Sequence, residues 1–456
     1  MPIRIFHAGA DATLVMALLA TLGLTNAAFS ETLTLNQALG RAYETNPQLQ
    51  AQRAALRAID EDVAKALGGW RPTVAATGSY GFEQGELNGV PGQSSANPRA
   101  AALTITQPVF NGQTLANVSK AKALARAGQA QLAAVEQSVL LNAVAADMDV
   151  VRDLAIVRLQ GDHVQVLQDF LESTRGRLSS GEIGRADVAQ AEARLGVAMA
   201  DLTASQAQLA ADRAAFEHII GSAVEELETE PSFPMLPGTD DDALALGLQR
   251  NPTLLATREQ AQAAEYAVKV AFGALLPTLS LQGQYQKSVD QIARGIKTDA
   301  FSVVAQLTVP LYQAGVDHAN VRQASEQRNQ ATQNIVEAER QVRDSIRTAW
   351  EALRAARIAI ALNDGTARSD EVAFEGVKQE TSIGQRAILD VLNAAQELVN
   401  ARVAGVTSRR NAYVAAYQLL AGTGGLTAKA LDLAVKFYDP LKHYDDDSGR
   451  WFGFGD

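Results

Sequence analysis

The stretch Asn46-Pro47-Gln48-Leu49 returns as Asn251-Pro252-Thr253-Leu254, and this repetition organises the whole chain. The offset of about 205 residues also relates Arg71-Pro72-Thr73 to Leu276-Pro277-Thr278. After a three-residue slip the match continues through three further pairs: Pro108 and Pro310, Gly181 and Gly384, and Asp187-Val188 and Asp390-Val391. Such a match predicts two copies of one structural unit, each with helices, strands and a very long helix in the same order.

The composition limits the classes of function that the chain can have. Among its 456 residues there is no cysteine, so disulfide and thiol chemistry are excluded. Aromatic residues make up only 5%, which is more typical of thin, closely packed helices than of a thick globular core. The net charge of −11 disfavours nucleic acid as a partner, because phosphate binding requires a basic surface.

Residues 1–30 are predicted to be a signal peptide. Met1 to Arg4 precede an apolar run from Leu14 to Leu24, and small residues follow, with cleavage near Ala28 or Ser30. The alternative is a short buried helix. No later segment approaches the ~20 apolar residues of a membrane-spanning helix, so any membrane insertion would have to use strands.

Two proline-free stretches, Val109 to Glu230 and Leu311 to Asp439, predict the long helices. Their apolar residues recur at spacings of three and four, as in a coiled coil. Each stretch is interrupted once by a glycine-containing cluster, at Gly181 and at Gly384, where a turn is expected. We therefore predict two antiparallel hairpins, over 113–221 and 316–422.

Four segments show a period of two instead. They cover about 72–86, 99–110, 277–289 and 299–311, and each alternates apolar residues with hydroxyl or amide residues. Their length suits a strand that crosses a bilayer. The alternative is an amphipathic sandwich in water, but the chain offers no further strands for its core.

Four strands cannot close a barrel, and hydrocarbon tolerates no unpaired sheet edge. Several copies would therefore have to share one barrel. Two copies supply 8 strands, whose lumen side chains fill, whereas three copies supply 12 strands and leave room for a channel.

The doubled Ala-Leu…Asn-Pro, which Leu35 precedes as Leu-x-x in the first copy, the strands that follow a proline, and the paired Gly181…Asp187-Val188 and Gly384…Asp390-Val391 motifs resemble the TolC family of outer membrane channel-tunnels. The resemblance spans Leu33 to Ala421. It implies a mainly α protein with membrane β-strands: a homotrimer with a 12-stranded barrel in outer membrane lipid and an α-barrel tunnel in the periplasm. It also implies a periplasmic adaptor and an inner-membrane transporter of ABC or RND type as partners. The two structural repeats are 31–225 and 226–425, followed by a tail over 426–456.

The resemblance also assigns a periplasmic gate. Asp187 falls at the position of a latch carboxylate, and Arg386 and Arg409 fall at the positions of latch arginines. Thr381 stands where the family prototype has tyrosine, which leaves one latch hydrogen bond open. Asp390 and Asn393 correspond to a constriction ring. Gly181, Gly184 and Gly384 correspond to hairpin turns that contact the pump or adaptor.

The tail, with Phe437-Tyr438-Asp439-Pro440, His443-Tyr444 and Trp451-Phe452, resembles the family branch that serves type I secretion. Its run of three aspartates, 445–447, is expected to be a solvated turn rather than a cation site. Histidines are scattered without metal-ligand spacing, so no catalytic, cofactor or metal site is predicted. The main prediction is the exit duct of a type I protein secretion system. The alternatives are the outer membrane component of a tripartite drug efflux pump, and a soluble periplasmic adaptor or structural coiled-coil protein.

Overall fold

The computed structural model describes residues 32–86, 93–223, 226–291 and 294–453, so the predicted signal peptide and the loop around Asn88 lie outside the described residues. The helices are α1 (Leu35–Thr45), α2 (Pro47–Gly68), α3 (Gly112–Ser179), α4 (Arg185–Ile220), α5 (Asp240–Arg250), α6 (Pro252–Gly273), α7 (Val316–Ser382), α8 (Ile388–Gly422) and α9 (Lys442–Asp447). The strands are β1 (Thr73–Tyr80), β2 (Glu83–Glu86), β3 (Gln93–Ala96), β4 (Arg99–Phe110), β5 (Thr278–Val289) and β6 (Lys297–Thr308). None of these helices combines the length and the apolar character that a membrane span requires.

The two Asn-Pro motifs have the same structure. Asn46 has φ −61° and ψ 122°, and Asn251 has φ −60° and ψ 121°. Each caps the helix that begins at the following proline, because its side-chain oxygen accepts two backbone N–H groups of the first turn. Each amide also donates to the last turn of the hairpin in its own repeat, to the carbonyls of Ile219 and Gly422 at 3.0 and 3.1 Å. The motif therefore ties the start of a repeat to its end.

The repeat extends to a pair of arginines that the sequence comparison did not single out. Arg53 Nη2 donates to the carbonyl of Tyr43, and Arg258 Nη1 donates to the carbonyl of Leu248, each at 3.3 Å. Each arginine thus bonds the last turn of the preceding short helix. The same contact therefore joins the two short helices in both repeats.

The long helices form two antiparallel hairpins, α3 with α4 and α7 with α8. At about 1.5 Å per residue, the 68 residues of α3 extend about 100 Å. The predicted hairpins 113–221 and 316–422 end within a few residues of these helices. Small and branched residues fill the contacts between hairpins near their turns, where Leu167, Leu171, Ala191, Ala198, Ile388 and Leu392 are buried together.

Four strands form one antiparallel sheet in the order β1-β4-β5-β6. The registers place the apolar residues of all four strands in rows on one face, Ala76–Leu103–Tyr285–Phe301 being one such row. The opposite face carries mainly hydroxyl and amide groups, as in the row Ala75–Thr104–Gln284–Ser302. The hairpins of the two repeats therefore join at β4 and β5 into one amphipathic sheet.

The strand predicted over 72–86 is divided in two by the structure. Residues 73–80 form β1 of the four-stranded sheet, whereas 83–86 form β2 and pair with β3 in a separate two-stranded sheet. Gly81, whose backbone N–H donates to the carbonyl of Pro98, lies between the two segments. The other three predicted strands correspond to β4, β5 and β6, with ends displaced by up to three residues.

The tail packs against the helices of the largest apolar cluster. Leu426, Ala428 and Leu433 are buried in the largest apolar cluster, and the backbone N–H of Ala428 donates to Glu136 at 2.7 Å. Residues 445–447 belong to α9, which packs on α2, so the predicted turn is wrong, although Asp445 and Asp446 are exposed to solvent as expected. The side chain of Asp447 is only 15% exposed.

Candidate gate at the helix-hairpin turns

The turn between α3 and α4 is built around Gly181. This residue has φ +78°, a left-handed conformation that favours glycine. The backbone N–H groups of Gly181 and Glu182 donate to the carbonyls of Leu178 and Arg177, each at 3.0 Å. This is the hydrogen-bond pattern of a Schellman helix end, and it reverses the chain within a few residues.

The turn between α7 and α8 repeats this geometry. Gly384 has φ +80°, and the N–H groups of Gly384 and Gln385 donate to the carbonyls of Thr381 and Glu380 at 3.1 and 2.9 Å. Both glycines are exposed, and so is Gly184. The two turns are thus equivalent parts of the two repeats, with exposed surfaces at the same end of the hairpins.

Arg177 connects the two turns. Its Nη1 donates to the carbonyl oxygen of Thr381 at 3.5 Å, while its Nε pairs with Glu182 at 3.2 Å. Thr381 is buried, and its hydroxyl has no hydrogen-bond partner among the described residues. The position that carries tyrosine in the family prototype therefore contributes its backbone, rather than its side chain, to the contact between turns.

Asp187 and Arg386 each bond to their own turn. Asp187 Oδ2 accepts the backbone N–H of Gly184 at 3.1 Å and caps the start of α4. Arg386 Nε lies 2.9 Å from Glu380 Oε2, and its Nη1 lies 3.9 Å from Asp390 Oδ2. In the described part of the chain, no contact joins Asp187 to either of the predicted latch arginines, Arg386 and Arg409. A bond between them would have to form between neighbouring chains.

Asn393 lies between the hairpins. Its Oδ1 accepts a hydrogen bond of 2.8 Å from Arg194 Nη2 of α4, and both side chains are partly buried. Asp390, one helical turn nearer to Gly384, is partly exposed beside Arg386. The two predicted ring positions therefore have different surroundings.

Arg409 is remote from the other predicted gate residues. It lies on α8, about 35 Å from Arg386 in the preceding turn at ~1.5 Å per residue. Its Nη2 lies 2.8 Å from Asp364 Oδ1 of α7. This ion pair joins α8 to α7 far from the turn. Arg409 is therefore at a different position along the length of the hairpin from the other predicted latch residues.

A cluster of charges on three helices was missed by the sequence analysis. Arg152 contacts three carboxylates, those of Asp149, Asp153 and Asp212, at 2.6 to 3.0 Å. Arg410 of α8 makes a bidentate contact to Asp149 at 2.8 and 2.9 Å. Burial raises the pKa of Asp153, and the hydrogen bond from Arg152 opposes that rise. The signal was present as acidic residues one turn from Arg152, but nothing in the sequence assigned Arg410 to them.

The paired hairpins, the amphipathic four-stranded sheet and the exposed turns define an outer membrane channel with a helical tunnel. A sequence model of the family "Outer membrane efflux protein" matches residues 11–222 and 244–425. The chain belongs to this family.

Three curated relatives of the chain are named for efflux, as outer membrane proteins, or for protease secretion. The chain is 36% identical over 430 residues to the outer membrane efflux protein BepC of Brucella suis, covering 94% of this chain and 92% of the relative. It is 26% identical to the outer membrane protein TolC of Vibrio cholerae, covering 89% of this chain and 93% of the relative. It is 28% identical to the proteases secretion protein PrtF of Dickeya chrysanthemi, over 52% of this chain and 53% of the relative.

The fold is that of solved channels. The Campylobacter jejuni CmeC outer membrane channel superposes with a TM-score of 0.77 at 18% identity, covering 91% of this chain and 89% of that chain. The predictions of a TolC-family channel, of its fold class, of an outer membrane location with a periplasmic tunnel, and of a non-enzymatic function are confirmed. Channels of this family are trimeric and work with adaptor proteins and inner-membrane pumps. Because the family match covers both repeats, the alternatives of a soluble adaptor and of a structural coiled-coil protein are wrong.

Proposed function

We propose that three copies of this chain share one 12-stranded barrel and one tunnel, and that the assembly is the exit duct of an inner-membrane transporter. The observation that carries this proposal is the four-stranded sheet, whose outer strands β1 and β6 each pair on one side only among the described residues. Large apolar side chains on those strands are exposed, among them Tyr80 at 77% and Phe301 at 76%. Lipid would cover the exposed apolar side chains, and the strands of neighbouring chains would pair with the free edges of β1 and β6.

The turns form the periplasmic end of this duct in the proposal. The latch consists of Asp187, Thr381, Arg386 and Arg409, and the constriction ring of Asp390 and Asn393. Exposed ion pairs contribute only ~0.2–1 kcal/mol each, which suits a contact that must open and close. Arg386 is half-exposed at the turn, where it can exchange Glu380 for a carboxylate of the next chain. Three copies of Asp390 would attract cations at the narrowest point.

The exposed turns are the proposed docking surface for the adaptor and the transporter. Gly181, Gly184 and Gly384 have no side chains, and a Cβ added at Gly181 or Gly384 would have no heavy atom within 4 Å among the described residues other than the adjacent ones. Helices of a partner could therefore approach the backbone of both turns.

Type I secretion is the proposed system. Support comes from the match to PrtF, which is named for protease secretion, and from the ordered aromatic tail that resembles the type I branch. The alternative is a tripartite drug efflux pump, which is supported by the higher identity to BepC, a protein named for efflux.

Deletion of the gene in its host separates the two systems. If the chain serves type I secretion, at least one protein should disappear from the culture medium while drug susceptibility stays unchanged. Reintroducing the intact gene should restore secretion. Greater susceptibility to several drugs with an unchanged set of secreted proteins would instead assign the chain to efflux. The transporter, of ABC or RND type, can be identified by crosslinking from cysteines placed at the turns, since the chain has none of its own.

A further inference from the structure

The end of the tail is fastened to α2. Arg71, just beyond α2, donates from Nη1 to the carbonyl of Arg450 at 2.6 Å and from Nη2 to that of Gly449 at 3.3 Å. Its guanidinium also lies 5.0 Å from the ring centroid of Trp451. Between this contact and the body of the tail, α9 packs on α2 and brings a histidine to a group of carboxylates.

Three side chains meet where α9 packs on α2. His443 Nε2 lies 3.2 Å from Asp447 Oδ2 and 3.9 Å from Glu61 Oε1, and all three ligand atoms lie within 4.8 Å of one another. Tetrahedral coordination with ligand bonds of about 2.0–2.2 Å sets ligand atoms about 3.3 Å apart. The observed separations therefore require shifts of only about 1 Å to hold one ion. His443 and Asp447 share a helix face because they are four residues apart.

A fourth carboxylate supports the same conclusion from the other side of the imidazole. Asp60 is 2% exposed, and neither of its side-chain oxygens has a hydrogen-bond partner among the described residues. Its Oδ2 lies 3.5 Å from His443 Nδ1, which is itself buried and unpartnered in the same residues. A buried carboxylate without a donor is costly. In metal sites a carboxylate in this position accepts the Nδ1–H and leaves Nε2 for the ion.

The local charge balance also favours a divalent ion. Asp60, Glu61 and Asp447 bring three carboxyl groups to one imidazole, and Arg450, 2.9 Å from Asp447 Oδ1, offsets the charge of one of them. A protonated imidazole offsets one more, whereas a divalent cation offsets two and leaves the imidazole neutral. One nitrogen and two oxygens as ligands suit Zn²⁺ and similar transition metals better than Mg²⁺ or Ca²⁺, which prefer oxygen alone.

We propose that Glu61, His443 and Asp447 bind a divalent transition-metal ion of the Zn²⁺ type, that Asp60 orients the imidazole, and that the ion fastens the tail to α2. Asp60 is a positioning residue in this site, because it contacts the histidine and not the ion. The proposal is independent of the cargo and of the transporter that the channel serves.

The test uses the full mature chain without a histidine tag, purified in detergent and treated with chelator. Titration calorimetry with ZnCl₂ should show one ion per chain, and MgCl₂ should show none. His443→Ala and Glu61→Gln should each lower the affinity for Zn²⁺ at least tenfold. Asp60→Asn should lower it about 10- to 100-fold, the range typical of orienting carboxylates. His318→Ala, which removes an exposed histidine of α7, is the matched control and should bind Zn²⁺ like the wild type.

Limited proteolysis gives a second measurement that does not depend on calorimetry. Zn²⁺ should protect the tail of the wild type and of His318→Ala, but not that of His443→Ala. Elution of every variant at the wild-type volume in size-exclusion chromatography establishes that it is folded. Zn²⁺ binding that survives His443→Ala, or no binding by the folded wild type at micromolar Zn²⁺, would overturn the proposal and leave an ion-pair cluster in its place.

Discussion

Arg194 of α4 donates a hydrogen bond of 2.8 Å to Asn393 of α8, and this bond joins the two hairpins near their turns. The contact lies beside the buried cluster that contains Leu392 and Ala191. If the predicted gate opens by moving α7 and α8 away from α3 and α4, this bond has to break. The uncharged amide at 393 therefore has a role within the chain in addition to any role in a ring.

Arg194→Ala is expected to weaken the closed state. A hydrogen bond to a charged group contributes about 1.5–3 kcal/mol when it is partly buried, and three copies would be lost in a trimer. The closed-state conductance of single channels in planar bilayers should rise, and Asn393→Ala should raise it similarly. Gln190→Ala, an exposed change on the same helix, should leave the conductance unchanged. Equal conductance of Arg194→Ala and wild type would show that this bond does not restrain the gate.

The Arg386 side chain offers a test of a latch between chains. Arg386→Ala removes both its intrachain pairing with Glu380 and any pairing with a neighbour, whereas Glu380→Gln removes only the intrachain pair. We expect Arg386→Ala to increase the closed-state conductance and Glu380→Gln to leave it low. An increase of the same size in both variants would place the function of Arg386 within its own turn. Asp187→Ala is less selective, because Asp187 also caps α4.

The Asn-Pro motif should be a major determinant of stability. Asn251→Ala removes an N-cap, at a cost of about 0.5–2 kcal/mol, and also the amide bond to the carbonyl of Gly422. Asn46→Ala should have a similar effect, since its geometry is the same. Thermal unfolding followed by circular dichroism should show a lower midpoint for both variants. Arg57→Ala, on the exposed face of α2, is the control, and a midpoint for Asn251→Ala equal to that of the control would contradict the assignment.

Asp147 makes stability depend on pH. It is 1% exposed without a hydrogen-bond partner in the described residues, and burial, followed by the nearby Glu228, raises its pKa from 3.8 to about 7. Between these values the folded state holds a proton that the unfolded state has released. The stability of the protonated form is therefore full below pH 3.8 and is lost as the pH rises through 7.

Asp147→Asn should remove this dependence. The variant is expected to unfold at a higher temperature than the wild type at pH 8, with a difference of up to about 4 kcal/mol, and the difference should shrink towards pH 4.5. Asp162→Asn, an exposed change on the same helix, should show no such trend. A lower midpoint for Asp147→Asn at pH 8 would mean that the carboxylate is ionised and bonded in the folded protein.

Much of the fold follows from the sequence because local signals and periodicity agree. Proline at the first position of α2 and α6, and glycine at both hairpin turns, set the helix ends within a few residues. The alternation in residues 99–110 sets the bounds of β4. The extra hairpin of β2 and β3 was not predicted, because nothing in residues 72–86 marks the change of sheet at Gly81.

The sites were less predictable, since their partners are distant in the sequence. Gly181 and Gly384 could be placed at turns from local sequence alone. The contacts of Arg177 with Thr381, of Arg410 with Asp149, and of His443 with Asp60 join residues about 200 to 380 positions apart. A single sequence contains no signal that such residues are in contact.

The mass of the assembly extracted from the outer membrane tests the central claim most directly. Four strands from each of three chains would close a barrel wide enough for a channel, so native mass spectrometry or light scattering in detergent should give three copies of the chain. Two copies would mean eight strands and a lumen filled by side chains. A dimer, or a monomer that remains in solution without detergent, would contradict the proposal that separate chains share one barrel.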